Sequence, residues 1–329
     1  VVSATVLGCD MKILFLTHPY PNYVPDLLLH GLRKLLGPDV VEFPRKDCLY
    51  HGVLGLGICP ANQLCPGWFP QDNGQIDRED IPSKIQRGVF DLIISDVRAW
   101  GQCAPQLGRS PSALVIVDGE DRPVFIPPGR HVVCRRETDG SDYSIPLPMA
   151  LPEEIFNWIS SYDALPKKYS IGFLGSTHDG RRRALIENLA RWYPDGLYSA
   201  SVVPSPSNPF PEGRYARDDY YRELQQCRFV LSLEGAGFDT FRFWENAACN
   251  AVHVAQRMPL FIPNDFENNR SIVRFATTDH LRAAIDRILA EKDDFQELVI
   301  NGRLNLTNFH FTTSRARYLL DRIQWACKP

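Results

Sequence analysis

Short apolar runs recur along this chain in a rhythm that leaves few folds open. "KILFLTH" (12–18), "VVEF" (40–43), "FDLIISD" (90–96), "ALVIVDG" (113–119) and "HVVCRRE" (131–137) read as strands. The rhythm restarts with "YSIGFLG" (169–175), a strand near 197–203, "RFVLSLE" (228–234) and "AVHVA" (251–255). Between them lie segments of helical period at 24–36, from about 180, and at 217–226, 278–291 and 313–326. Runs that are apolar on both faces must be covered on both faces. Intervening helices supply that cover and the crossovers that parallel pairing requires. The expected class is α/β, with parallel sheets wrapped by helices.

At 329 residues the chain exceeds one ordinary core, and two domains are expected. "IPLPMALPEEIFNWISSYDALPKKYS" carries four prolines and a basic pair, and marks the boundary. It divides the chain into an N-terminal domain (1–150), a linker (151–168), a second domain (169–312) and a C-terminal helix (313–329) packing back across the domains. Two Rossmann-like halves facing across a cleft would bind ligand there. Residues 48–75, rich in Gly, Pro, Asn and Cys, read as a long irregular excursion, expected to shape an acceptor site.

Charge and cysteine usage narrow the partners. A net charge of −3 gives no pull toward nucleic acid or an anionic membrane. No apolar run approaches the roughly 20 residues that span a bilayer. Nine cysteines without a Cys-x-x-Cys pair argue against a zinc site or disulfide framework and for a reducing cytoplasm, with 48–65 the one stretch where a bridge would fit. Met11 opens "MKILFLTHP" like a natural start, and "VVSATVLGCD" before it lacks the basic region of a secretory leader.

Two segments carry the chemistry. In "IGFLGSTHDGRRRALIENLARWY" a strand runs into Gly175, Ser176 and Thr177, and a helix opens with Arg181, Arg182 and Arg183. Cations oppose the dipole at a helix start. Guanidinium groups and backbone amides gathered there suit a phosphate or diphosphate. "RFVLSLEGAGFDTFRFWENAACNAVHV" repeats the arrangement: a strand, the turn glycines Gly235 and Gly237, a cap from Asp239 or Thr240, and Arg242 in the first helical turn. Phe241, Trp244, Ala247 and Ala248 form the buried stripe, Arg242 and Glu245 lie on another face, and Asn250 falls where a left-handed residue would end the helix. The alternative is a local Arg242–Glu245 pair and a solvated basic patch. In a parallel sheet both arginine-bearing turns follow carboxyl ends of strands, so they share one edge. The dinucleotide G-x-G-x-x-G, the P-loop, the nucleophile elbow and the metalloprotease motif are absent from the sequence.

The second segment resembles the donor site of GT-B glycosyltransferases, most closely the exostosin-type and spore-maturation-type members, whose pattern runs R-x-x-E-A-x-x-x-G into a strand. Arg242 and Glu245 match, while Asn246 stands for the Ala and Asn250 for the Gly. The resemblance covers about residues 168–310. It implies a nucleoside-diphosphate-sugar donor with no required cofactor or metal. Gly175, Ser176, Thr177, Arg181, Arg182, Arg183, Thr240 and Arg242 would face the diphosphate. Glu234, Gly235, Phe238, Asp239 and Glu245 would face the ribose and base. Retaining members often carry a glutamate eight residues before the ribose-binding one; Gly237 stands there, and Glu234 lies eleven back.

An inverting transfer needs a base for the hydroxyl of a glycan, lipid or small-molecule acceptor. His18 and Asp121 are the candidates, with Asp96 behind. Two alternatives stay open: a metal-dependent glycosyltransferase using Asp118 and Glu120 of "VDGED", and a non-catalytic protein that keeps the nucleotide-sugar fold for binding.

Overall fold

The computed structural model describes residues 11–51, 68–70, 72–107, 110–175, 180–199, 216–290 and 295–326, with backbone alone at 103–106 and 324–326. The chain folds as two units, Val1–Pro152 with Leu260–Ile262 and Phe311–Pro329, and Glu153–Pro259 with Pro263–His310.

In the first unit β1 (Ile13–Leu16), α1 (Tyr23–Leu36), β2 (Val40–Phe43), α2 (Ile81–Gln86), β3 (Leu92–Asp96), α3 (Val97–Leu107), β4 (Ala113–Asp118), β5 (Val132–Arg135) and β6 (Ile145–Pro146) follow in order. Their sheet runs β2-β1-β3-β4-β5-β6 and its registers are parallel throughout. Leu14, Leu16, Val41, Ile93 and Leu114 pack on Ile81 and Ile85 of α2.

The second unit holds α4 (Glu153–Ser160), β7 (Tyr169–Phe173), α5 (Gly180–Trp192), β8 (Leu197–Tyr198), α6 (Arg217–Gln225), β9 (Cys227–Ser232), α7 (Phe241–Ala248), β10 (Val252–Gln256), β11 (Val273–Phe275), α8 (Thr278–Ala290) and α9 (Phe295–Phe309). Its parallel sheet runs β11-β10-β9-β7-β8. Ile171, Phe173, Phe229, Leu231, Val252 and Val254 form the centre of its core, covered by Ile186 and Leu189 of α5 and Leu281 and Ile285 of α8. Helix α4, inside the stretch expected to be a linker, packs against α6 and α7 of this unit.

The last helix, α10 (Thr312–Ala326), belongs to the first unit and lies along α1. Close approach is possible because Gly31 has no side chain: a Cβ there would stand 2.0 Å from the Thr312 carbonyl oxygen. Beside it, His30 Nδ1 and Thr312 Oγ1 share a 2.9 Å hydrogen bond. A backbone atom cannot swing aside as a flexible side chain can. Gly31→Ala is therefore expected to destabilise the protein by about 1–3 kcal/mol through overpacking, read as a lower midpoint in urea at unchanged slope. Among the described residues no helix is long and apolar enough to cross a membrane.

Candidate functional site

The strand order of the second sheet fixes where a ligand would meet it. From β7 the chain goes through α5 to β8 at one side, and from the neighbouring β9 through α7 to β10 at the other. The carboxyl ends of β7 and β9 therefore flank a topological switch point, where the loops diverge and leave a crevice. Gly175 follows β7 there, and the 233–240 turn follows β9.

Arg242, in the first turn of α7, comes back across this point. A Cβ on Gly175 would stand 2.7–2.9 Å from the Arg242 guanidinium atoms, so the glycine makes the room in which the arginine sits. The guanidinium also lies over the Phe173 ring, 5.6 Å from its centroid, which gives it one apolar wall. Gly175 does not offer its amide outward. Its N–H donates to Ser199 Oγ (2.7 Å), and that hydroxyl donates back to Gly175 O (2.6 Å). The amide of Gly235 is likewise used inside its turn, on Gly237 O (2.7 Å). At these two glycines the expected amide donors are committed.

Glu245 lies one turn along α7 from Arg242. Tyr221 donates its hydroxyl to Oε1 (2.7 Å) and Tyr220 donates to Oε2 (3.4 Å). Burial pushes the Glu245 carboxyl above the usual carboxylate range, opposed by the Tyr221 hydrogen bond and by the charges of Arg242 and Arg217. Tyr220 also contacts Arg242 by a side-chain hydrogen bond. A carboxylate has about four lone-pair sites, so these bonds leave acceptor capacity for a ligand hydroxyl.

Helix α7 is held rigidly behind these groups. Phe243 and Trp244 are buried, and Asn246 Nδ2 donates to Leu231 O (3.1 Å) and Ser232 Oγ (2.9 Å). Asn246, where the resembled pattern has Ala, thus ties α7 to β9. Asp239 accepts a hydrogen bond from Trp244 Nε1 (2.8 Å) and is buried, so it orients the indole. Thr240 is the N-cap by position but makes no side-chain capping bond. The helix ends at Ala248 with Cys249 extended, and Asn250 is not left-handed. Instead its N–H donates to Gln225 Oε1 (2.7 Å) and its side chain to Asp163 O (3.2 Å).

The remaining donor-side candidates are spread around the same edge. Phe238 is exposed on the 233–240 turn, and Glu234 is half-buried with its N–H directed at Gln256 Oε1 (3.5 Å). Arg181 and Arg183 are exposed and Arg182 half-buried at the start of α5. Successive helical residues point about 100° apart, so the three do not share one face. Ser176 and Thr177 lie outside the described residues.

Candidates in the first unit stand at the carboxyl ends of β1, β3 and β4. Asp96 is buried and accepts from Arg98 N (2.9 Å) and Asn22 Nδ2 (3.3 Å); burial raises its carboxyl. His18 Nδ1 accepts from Tyr20 N at 3.3 Å. In a neutral ring that places the proton on Nε2, so this rotamer offers a donor on that side, and a base role requires the ring to turn over. Asp121 is paired with Arg136 at 2.5 Å. Asp118 is held by Arg135 (2.9 Å) and Val124 N (2.8 Å), and Glu120 by Arg98 (2.5 Å). Among the described residues no group of His, Cys, Asp or Glu is placed to hold a metal ion.

Two residues of this edge were missed in the sequence, Tyr220 and Tyr221. Helix α6 is short and polar, so its period does not reveal which face meets α7.

Residues 181–321 match the family model described as glycosyl transferase-like. The matched stretch runs from α5 through α9 of the second unit and into α10. Among solved structures, that of Anabaena HepE in complex with UDP aligns with a TM-score of 0.60 at 13% identity, covering 95% of this chain and 100% of that one. A glycosyltransferase from Rickettsia africae ESF-5 aligns at 0.60 and 11% identity, with 95% and 97% covered. AviGT4, a glycosyltransferase involved in avilamycin A biosynthesis, aligns at 0.52 and 15% identity, with 97% and 99% covered. At such identities the likeness shows the fold, two Rossmann-like parallel-sheet domains of the GT-B type. Among curated proteins no sequence match is found.

Proposed function

We propose that the protein transfers a sugar from a nucleoside diphosphate sugar to a hydroxyl of a glycan, lipid or small molecule, without a required metal. The observation that carries this reading is Arg242 seated against Gly175 at the switch point, with Glu245 one turn away. In such a transfer the bond between the sugar C1 and the diphosphate oxygen breaks while C1 bonds to the acceptor oxygen. The acceptor proton leaves to a base or to the departing phosphate. Negative charge grows on the diphosphate as it departs, and a fixed guanidinium fork stabilises it most at that moment. Glu245 accepts hydrogen bonds from the donor ribose, and Phe238, exposed on the 233–240 turn, covers the base.

Uridine is the base to test first, because the Anabaena structures contain UDP, and UDP-glucose in one case. Arg135 and Arg98 on Asp118 and Glu120 support a metal-free route over one through those carboxylates. Cys134, Cys227 and Cys249 are buried thiols, which fits a reducing cytosol.

A thermal-shift screen with UDP, ADP, GDP and CDP, followed by donor hydrolysis with the matching sugar nucleotides, tests the reading. One diphosphate should raise Tm and its sugar nucleotide should turn over in EDTA. Stabilisation by none of them, or activity that requires a divalent metal, contradicts it.

Gly175→Ala gives a sharper local check. The atoms nearest the added methyl are the far end of the Arg242 side chain, so it shifts the guanidinium at little cost in stability. Donor kcat/KM is expected to fall about tenfold, which is about 1.4 kcal/mol of lost stabilisation. An unchanged rate would remove Arg242 from the site.

A further inference from the structure

We propose that Tyr220 and Tyr221 are positioning residues for the nucleotide. Their hydroxyls hold the two oxygens of Glu245, and Tyr220 joins that carboxylate to Arg242, so ribose and diphosphate recognition are set by one hydrogen-bonded unit. The proposal rests on the donor reading above.

Adjacent residues of a helix rarely serve one partner, because their side chains diverge. Here both reach Glu245, at 2.7 and 3.4 Å, from the same turn of α6. Their rings are fixed edge to face, 5.4 Å between centroids. Tyr221 is fully buried and also meets Trp158 of α4 edge-on at 5.5 Å. Trp158 is fixed in turn by Asp218, which accepts from its Nε1 at 2.8 Å. The Tyr221 ring is not free to follow Glu245 if the acid moves. The restraint therefore runs from the ring to the carboxylate.

The arrangement is costly as mere packing. The half-buried Glu245 and Tyr220 and the buried Tyr221 lose hydration, and an apolar trio of similar volume would fill the space without that loss. What the trio supplies is orientation. Glu245 has its oxygens fixed by α6, and Tyr220 holds Arg242 in the same unit. A nucleotide that needs both groups meets them already set, which lowers the ordering cost of binding.

Charge around Glu245 comes from both helices. Arg242 shares α7 with it, Arg217, Tyr220 and Tyr221 approach from α6, and the Cys249 thiol lies just beyond α7. The Tyr221 hydroxyl favours the ionised acid. Tyr221→Phe removes that hydrogen bond and leaves the ring in place, so Glu245 takes up a proton at higher pH than in the wild type.

The test is calorimetric titration of UDP and 2′,3′-dideoxy-UDP across the acid range, with ADP and GDP pairs run alongside. Wild-type protein should prefer the ribose form by about tenfold. Tyr221→Phe should lose most of that preference, and the acid limb of its binding profile should move to higher pH. Tyr220→Phe should also weaken the dideoxy nucleotide, because it releases Arg242. In a Glu245→Gln background Tyr221→Phe should add nothing. Tyr221→Phe with the wild-type preference and pH profile overturns the proposal. So does an equal loss in the Glu245→Gln background, which would mark a structural role. Wild-type protein that binds none of these nucleotides sinks the donor reading itself, whereas normal wild-type binding with unaltered tyrosine variants sinks this proposal alone.

Discussion

Arg242→Ala is expected to lower kcat/KM for donor turnover by about 10²–10³-fold, a loss on the order of 3–4 kcal/mol of transition-state stabilisation. The size follows from where the side chain stands. The Gly175 and Gly235 amides are used by Ser199 and Gly237. The guanidinium is thus the charge set directly against Gly175, where a departing diphosphate would meet it. It lies against Phe173, where a low local dielectric makes each charge interaction stronger than in water. Arg242→Lys should recover only part of the rate, because an ammonium cannot reproduce a two-pronged contact with phosphate oxygens. Both variants should unfold near the wild-type midpoint, since Arg242 is outside the Phe243–Trp244 core face of α7. Steady-state kinetics with the sugar nucleotide found in the screen would measure the loss. A rate within a few-fold of wild type in Arg242→Ala would place the chemistry elsewhere.

Lys46→Met is expected to destabilise the first unit by about 3–5 kcal/mol near neutral pH, the usual cost of breaking a buried ion pair. Lys46 and Asp26 are both essentially inaccessible and 2.9 Å apart. Lys46 also donates to the carbonyl oxygens of His18 (2.5 Å) and Tyr20 (2.7 Å), so the substitution strands two acceptors as well as a carboxylate. Even with the lysine present, burial pushes the Asp26 carboxyl up to about 6. Its folded value thus lies above its ordinary one. The contribution to stability is fully present below about pH 4, where both states hold the proton, and is lost as pH rises through about 6. Without Lys46 that window moves upward. The variant should therefore be most destabilised near neutrality and less so at mildly acid pH, and Asp26→Asn in the same chain should recover part of the loss. Urea unfolding at both pH values would show it. An equal loss at the two would mean that the ion pair is not the cause.

The alternating strands, the arginine opening α7 and the glycine after β7 could all be read in the sequence, because each is a local signal. Apolar runs announce buried strands, and a cation at a helix start stands out against the dipole. What escaped depends on partners far along the chain. Ser199 silences the amide of Gly175 from 24 residues away, and Tyr221 reaches Glu245 across the same separation. Asp239 was open to a capping or ligand role until Trp244 claimed it. Asn250 looked like a helix end because Asn tolerates the left-handed region, yet Gln225 and Asp163 hold it in another conformation. Helix α9 was missed because Gly302 and several polar residues blur its stripe. Gly302 is required there, since a Cβ would meet the Ser271 carbonyl oxygen at 2.6 Å.

The most direct test of a diphosphate site at the β7–β9 switch point is a calorimetric titration of UDP, ADP and GDP into wild-type and Arg242→Ala protein. One of these nucleotides should bind the wild type saturably and bind Arg242→Ala about a hundredfold more weakly, at matched thermal stability. Equal affinity in the two proteins, or no binding of any nucleoside diphosphate to the wild type, would contradict it.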